Sequence, residues 1–479
     1  MPARHVVGSE VLAEIADGLR GLQQRLGLRT EFPADVTAQA ERIAAEPMSF
    51  PEHADLTDVG FVTVDPPGSM DLDQALHIER DGHGYRVRYA IADVAAWVEP
   101  GSPIDREAHR RGQTMYAPGA RLPLHPAALS EGAASLLADR RPRPALVWTH
   151  RLDADGHVGS TTLQRALVTN RAQLSYQQVQ ADVDAGRAPE TLALLRRVGE
   201  LRRQIEIERG GISLNLPDQE IVATSHGWRT RFRSVVPAED WNAQISLMTG
   251  IAAAELMVAG KVGIIRTLPA AEDSAIDRLR RAARSLGVDW PSGVSYPDFV
   301  RGLDPARPAQ LAVLAKCTLL FRGAGYQAFD AEMPPGSLIH SALASRYAHT
   351  TAPLRRLVDR YVLEICHSLA NSLQVPAWAR RALPELPQEM AESGRAANGY
   401  ERGVVDLAEC LVLAGRVGET FEAVLIDVNP KTGLGTFQIA EPAVEARMPA
   451  DRRDLGSVIR VRLDQVDTHA GQLHFSSAT

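Results

Sequence analysis

The chain has 479 residues, 45% of them hydrophobic and 23% charged, with a formal net charge of -7. That balance builds globular domains with sizeable cores and excludes a disordered or low-complexity chain. It also excludes nucleic-acid binding through overall charge alone, although a basic channel can sit inside an acidic protein. In chain order, Val11, Leu12, Ile15, Leu19, Leu22 and Leu26 recur at helical spacing and 38–45 predicts a second helix, so residues 1–50 are expected to form a small helical module. From Gly60 the pattern turns to strands at 61–64, 75–79 and 85–92, and 103–112 reads as a helix. Longer helical patterns cover 192–208, 241–259, 275–286, 308–321 and 354–371, making 51–412 a mixed α/β domain. Beyond Gly415, strand-like runs at 417–427, 435–439, 444–448 and 458–466, with His474-Phe475 in a fifth, predict a small OB-type barrel over 415–479. The expected fold class is α+β, in several domains.

Three scattered cysteines, Cys317, Cys366 and Cys410, point away from a disulfide framework or a zinc site and towards core thiols of a cytoplasmic protein. Residues 1–20 mix charge with apolar side chains and lack a leader's apolar core, and no run of 18 apolar residues occurs. Neither a membrane nor an obligate protein partner is expected.

The most informative stretch is Thr63-Val64-Asp65-Pro66-Pro67-Gly68-Ser69-Met70-Asp71-Leu72-Asp73-Gln74-Ala75-Leu76. Two prolines and a glycine force a loop after the strand. Asp71 and Asp73 are two apart, so an extended backbone sends both side chains to one face. A loop returning Asp65 towards them makes an oxygen-ligand site suited to Mg²⁺ or Mn²⁺. The same residues also suit a surface turn of solvated aspartates. A second block, Ser345-Arg346-Tyr347-Ala348-His349-Thr350-Thr351-Ala352-Pro353-Leu354-Arg355-Arg356-Leu357-Val358-Asp359-Arg360, reads by itself as a helix start with Arg355 and Asp359 paired at i,i+4. A third runs Arg111-Gly112-Gln113-Thr114-Met115-Tyr116-Ala117-Pro118.

These blocks resemble the signatures of the ribonuclease II/ribonuclease R (RNB) family. The aspartate stretch is similar to that family's Asp-Leu-Asp-Asp-Ala segment, with Gln74 where a fourth aspartate is usual. The resemblance implies a 3′→5′ exoribonuclease that hydrolyses single-stranded RNA processively to 5′-nucleoside monophosphates. Asp65, Asp71 and Asp73, with Gln74, then hold Mg²⁺ (or Mn²⁺), and Arg355 reaches the scissile phosphate. Tyr116 and Tyr176 lie along the RNA path, Tyr176 stacking on a terminal base. His349, Arg356 and Glu401 are further RNA contacts by the same resemblance, and the C-terminal barrel resembles an S1 domain with Phe421, Phe437 and Phe475 as candidate stacking residues, one or two of them expected in the core. For Tyr116 and Tyr176 a core role remains open from the residues alone. The neutral Gln74 also leaves open an RNA-binding protein with weak or lost catalysis.

Overall fold

The computed structural model describes residues 4–7, 13–46, 49–117, 120–212, 218–224, 227–233, 235–321, 323–334 and 336–478. At its centre the strands Ala54–Asp65, Gln74–Asp81, Gly84–Ala92, Arg143–Leu152 and Val158–Ser175 form a closed barrel. Successive strands pair antiparallel, and the first and last close the barrel in parallel, with Asp65 opposite Ser175. The last two strands are absent from the sequence expectation, and for Arg143–Leu152 the burial pattern explains why. Leu146 and Trp148 face one apolar cluster while Ala145 and Val147 face another, so both sides are covered and no alternation shows.

On one side the barrel meets a helical layer of Glu190–Glu208, Pro237–Gly260 and Leu357–Ala370. Pro237–Gly260 contains an 18-residue stretch of mean hydropathy 1.4 and is long and apolar enough to cross a membrane. Here it is a core helix. Its buried Gln244 donates to Glu206 at 2.6 Å, and its Thr249 lies 3.2 Å from His150 Nε2, partners that a protein interior supplies. The helix Ala34–Ala45 covers the other side of the barrel through Val36 and Ala40.

The N-terminal segment differs from the expected helical module. Arg4–Val7 is a strand, paired in parallel with Asp218–Thr224, which in turn pairs with Gly227–Arg233. Among the described residues of this segment Ala13–Arg25 and Ala34–Ala45 are helical, Val11 and Leu12 of the expected helix lying outside them, and Ala13–Arg25 packs Ile15, Leu19 and Leu22 onto Tyr400, Val404 and Leu407 of the long helix Leu386–Leu413.

At the C terminus, Thr420–Val428, Leu434–Ile439, Val444–Pro449, Val458–Asp467 and Gln472–Ser477 form one antiparallel sheet, ordered third, second, first, fourth, fifth. Phe421, Phe437 and Phe475 are all buried there and pack edge to face at centroid distances of 6.4 and 5.1 Å. All three belong to the core, which corrects the expectation of stacking residues: inward alternation on a short strand gives core aromatics the same spacing.

Candidate active site

The carboxylates lie at one end of the barrel, where the first strand stops at Asp65 and the second starts at Gln74. Gly68 takes φ 82° at the tip of the intervening turn, a conformation that favours glycine. The chain then passes Asp71-Leu72-Asp73 under tight backbone control. Ser135 Oγ accepts from Leu72 N–H at 2.9 Å and donates to Met70 O at 2.7 Å. Leu136 N–H donates to Leu72 O at 3.0 Å, and Ala92 N–H donates to Asp73 O at 2.8 Å. The two aspartates are therefore aimed by backbone that cannot easily rotate.

Asp73 is 3% exposed. Its Oδ1 accepts from Leu354 N–H at 2.7 Å and its Oδ2 from Arg355 Nε–H at 3.2 Å. Burial pushes its carboxyl up to about 8, although Arg355 pulls the other way. Asp65 is also pushed up, to about 7, by burial and by the neighbouring Asp71 charge, with Arg355 opposing. Its Oδ2 is buried without a hydrogen-bond partner. Asp71 is held by the hairpin of Met115–Ala117 and Ala120–Leu122: Tyr116 donates to Oδ2 at 3.0 Å and Arg121 to Oδ1 at 3.4 Å.

Arg355 stands in the turn before the helix Leu357–Ala370, not on the helix as its spacing suggested. The turn is pinned from outside: Thr114 N–H donates to Arg355 O and Leu357 N–H to Gly112 O, both at 2.9 Å. The expected Arg355–Asp359 pair gives way to Arg356, whose Nε and a terminal nitrogen meet Asp359 at 2.5 and 2.9 Å. Asp359 Oδ1 also accepts from Ala352 N–H. With Asp359 taken by its neighbour, Arg355 keeps a 46% exposed side chain against a buried carboxylate.

Tyr176 begins the helix Tyr176–Asp184 directly after Ser175, so the parallel pairing places it beside Asp65. It is half-buried, it accepts from Asn242 Nδ2 at 3.5 Å, and burial with the Asp65 charge pushes its phenol up to about 12. Gln74 is in the group too, but its Oε1 accepts from the buried Tyr89 hydroxyl at 2.6 Å. His349 Nδ1 lies 2.6 Å from the Tyr326 hydroxyl, and burial with Arg356 nearby drives the imidazole far below its usual range. Glu401 sits half-buried on the long helix beside Tyr400.

Asp65, Asp71, Asp73, Arg355, Tyr116 and Tyr176 thus come together. Arg356 and His349 serve contacts with Asp359 and Tyr326. Sequence reasoning missed Arg121, Ser135, Tyr89 and Asn242. Only Arg121 had an available signal, two residues before Pro123 in a hairpin opposite Tyr116. Among the described residues no three histidine, cysteine or carboxylate groups stand in a ready-made metal cage. The donor chemistry nevertheless fits a hard cation: the buried Asp65 Oδ2 has no hydrogen-bond partner, and burial disfavours the charged forms of Asp65 and Asp73, a cost that a bound cation would offset.

A closed barrel with buried carboxylates at one end, faced by an exposed arginine, is a pocket suited to phosphate chemistry with a divalent ion. The RNB domain family matches residues 53–372, and the RNase II-type exonuclease C-terminal S1 domain matches 419–478. The chain belongs to the RNB family. It is 27% identical over 443 residues to Ribonuclease R of Escherichia coli (strain K12), covering 87% of this chain and 51% of that protein. It therefore spans about half the length of the curated relatives it matches. The fold is similar to that of Mycoplasma genitalium RNase R in complex with ribose-methylated single-stranded RNA, with a TM-score of 0.85, 19% identity, and coverage of 96% of this chain and 77% of the other. It is also similar to yeast Ssd1, a pseudonuclease, with a TM-score of 0.72, 14% identity, and coverage of 94% of this chain and 58% of the other.

Proposed function

We propose that this chain is a cytoplasmic 3′→5′ exoribonuclease, hydrolysing single-stranded RNA processively to 5′-nucleoside monophosphates with Mg²⁺ or Mn²⁺. The observation that carries the reading is the exposed Arg355 guanidinium beside buried Asp73, with Asp65 and Asp71 in the same pocket. Asp65 and Asp73 hold the cation, with Asp71 alongside. When bound, the cation supplies a Lewis acid that lowers the pKa of water and stabilises charge at phosphorus. Arg355 donates to the oxygens of the scissile phosphate, where negative charge grows in the transition state. Its Nε bond to Asp73 keeps the guanidinium plane facing that position. Tyr176 offers a face for the terminal base, in reach of the pocket because it follows Asp65's strand partner. Tyr116 holds Asp71 by its hydroxyl rather than lying free along the strand. The three cysteines, all buried and free, support a reducing compartment.

A second reading, an RNA-binding protein without catalysis, draws on the engagement of Gln74 with Tyr89, which removes one oxygen ligand from the pocket. A 5′-labelled RNA oligomer and its DNA counterpart, each with Mn²⁺, Mg²⁺ or a chelator, separate the two. Nucleotide-by-nucleotide shortening of RNA alone, lost on chelation, is the expected result. Binding without shortening supports the second reading, and equal rates on DNA would remove the ribonuclease.

A further inference from the structure

We propose that His109 is a positioning residue for Arg355, clamping three helices together behind the turn on which Arg355 stands. The proposal rests on the reading given above and adds to it a residue, and a response to pH, that lie outside the aspartate pocket.

His109 stands half-buried on the helix Pro103–Arg111, and both of its ring nitrogens are engaged. Nδ1 lies 2.8 Å from Glu389 Oε2, on the helix Leu386–Leu413. Nε2 lies 2.6 Å from the Tyr361 hydroxyl, on the helix Leu357–Ala370. The chain leaving His109 runs straight to the Arg355 turn. Gly112 takes φ 67°, and its carbonyl accepts from Leu357 N–H at 2.9 Å. Thr114 N–H donates to Arg355 O at 2.9 Å, and Gln113 pairs with Arg356 between them. Tyr361 follows Leu357 by about one helical turn, so its contact with His109 closes the back of this short ladder. The helix Leu386–Leu413 buttresses the ladder twice from one face. Glu389 meets His109. One turn on, Ser393 presses against Gly112, where even a methyl group would collide with the serine, and its carbonyl accepts from Gln113 Nε2 at 3.5 Å. Arg355 is thus aimed at Asp73 by a ladder whose rear His109 holds.

The charged and titratable groups facing the imidazole come from all three helices. Asp105 Oδ1 lies 3.9 Å away on its own helix, Glu389 and the Tyr361 hydroxyl face it from the other two, and Arg360 stands beside Tyr361, bound to Asp105. Two carboxylates against one guanidinium leave one negative charge, which a protonated imidazole cancels. Burial works against that proton, but the Glu389 and Asp105 carboxylates outweigh it and hold the imidazole above its usual value of 6.5. The stabilisation from this charge is complete below the usual value and is lost as pH rises through the raised one. Above it the neutral ring still meets Glu389 and Tyr361, but without the charge that makes such a bond strong.

The test compares the full chain with His109→Gln, which offers a donor to Glu389 and an acceptor to Tyr361 and carries no charge. Nuclear magnetic resonance of isotope-labelled histidines identifies His109 as the signal missing from that variant. It should titrate above 6.5 in the wild type and move back towards 6.5 in Glu389→Gln. Amide hydrogen exchange at Thr114 and Leu357 should run roughly threefold to tenfold faster in His109→Gln than in the wild type below the measured His109 value, and at about the same rate above it. For a labelled RNA oligomer, kcat should fall in the variant with the same pH pattern, by up to about 10²-fold, the scale of a misplaced positioning group. KM should hold, because phosphates elsewhere on the strand supply most of the binding. Circular dichroism checks that each variant is folded, and Glu389→Gln replaces His109→Gln in these comparisons if the latter does not fold. A difference that is constant across pH marks a merely structural contact and overturns the proposal, as does a His109 titration at or below 6.5. A wild type that cleaves no RNA sinks the nuclease reading alone, because the exchange ratio still decides the role of His109.

Discussion

Arg355 Nε lies 3.2 Å from Asp73 Oδ2, joining a side chain that is 46% exposed to one that is 4% exposed. The pair spans the wall of the pocket, with the carboxylate in the protein and the guanidinium towards solvent. Under the proposed function it fixes where a phosphate would sit with respect to the aspartates.

Asp73→Asn keeps an acceptor for Leu354 N–H and removes the charge that Arg355 and a cation both need. Hydrolysis of a labelled RNA oligomer should fall by at least about 10³-fold, the scale at which a transition-state electrostatic contact is lost. Fluorescence anisotropy should find RNA affinity within about threefold of wild type, because phosphates elsewhere on the strand supply most of the binding. Full activity in this variant would remove the role given to Asp73.

The pH dependence of stability follows from Asp65 and Asp73, pushed up by burial to about 7 and about 8. Both values exceed the unfolded carboxylate near 3.8. Between the two limits the folded state holds protons that the unfolded chain has released, so metal-free stability is highest below about pH 4 for these groups and declines as pH rises to about 8. A divalent ion binds the ionised form and competes with the protons, so Mn²⁺ should raise the melting temperature more at pH 8 than at pH 6. Thermal scans with chelator and with Mn²⁺ check this, and a metal effect larger at pH 6 contradicts it.

Tyr176→Ala removes the aromatic face beside Asp65. Base stacking on an aromatic side chain contributes roughly 1–3 kcal/mol, so affinity for the RNA end should drop between about fivefold and 150-fold. Tyr176→Phe keeps the face and loses only the long contact with Asn242, and should bind within about twofold of wild type. Equal losses in the two variants would move the role from the ring to the hydroxyl.

Arg360 tests the scaffold apart from the chemistry. It is 2% exposed, donates to Asp105 Oδ1 at 2.5 Å and to Val98 O at 2.6 Å, and ties the helix Leu357–Ala370 to the helix Pro103–Arg111. Arg360→Met leaves the buried Asp105 without its guanidinium partner, the Gly101 N–H bond remaining, and should cost about 3–5 kcal/mol in urea denaturation. Metal stoichiometry in the folded fraction should stay at the wild-type value.

The long helices were legible because their apolar spacing persists for several turns: 241–259 lies within Pro237–Gly260, and 192–208 within Glu190–Glu208. The strand Arg143–Leu152 was not, since burial on both faces erases alternation. Strand Arg4–Val7 escaped for another reason, its partner being more than two hundred residues away in sequence. At the site, the aspartates and Arg355 were visible through motif resemblance. What those residues touch was not. The exchange of Arg355 for Arg356 as the partner of Asp359 depends on the helix starting at Leu357, a boundary that propensity places only to within a few residues. Tyr116 reaching Asp71, and Arg121 with it, required the hairpin to fold back over the barrel end.

Ser135 gives this pocket a hinge of a different kind from its charges. Because it clasps Met70 O and Leu72 N–H together, the loop from Pro66 to Ser69 is mechanically insulated from the two aspartates that follow. Residues added to or removed from that loop are therefore expected to leave Asp71 and Asp73 in place. Linear distance from Asp65 to the pair is then a poor ruler for recognising such a pocket in other chains. A serine approaching from a distant turn is the better landmark, and the tip of the loop at Pro67 and Gly68, short of the Ser69 carbonyl that Gln173 holds, is the place to graft a tag or a reporter beside the aspartates.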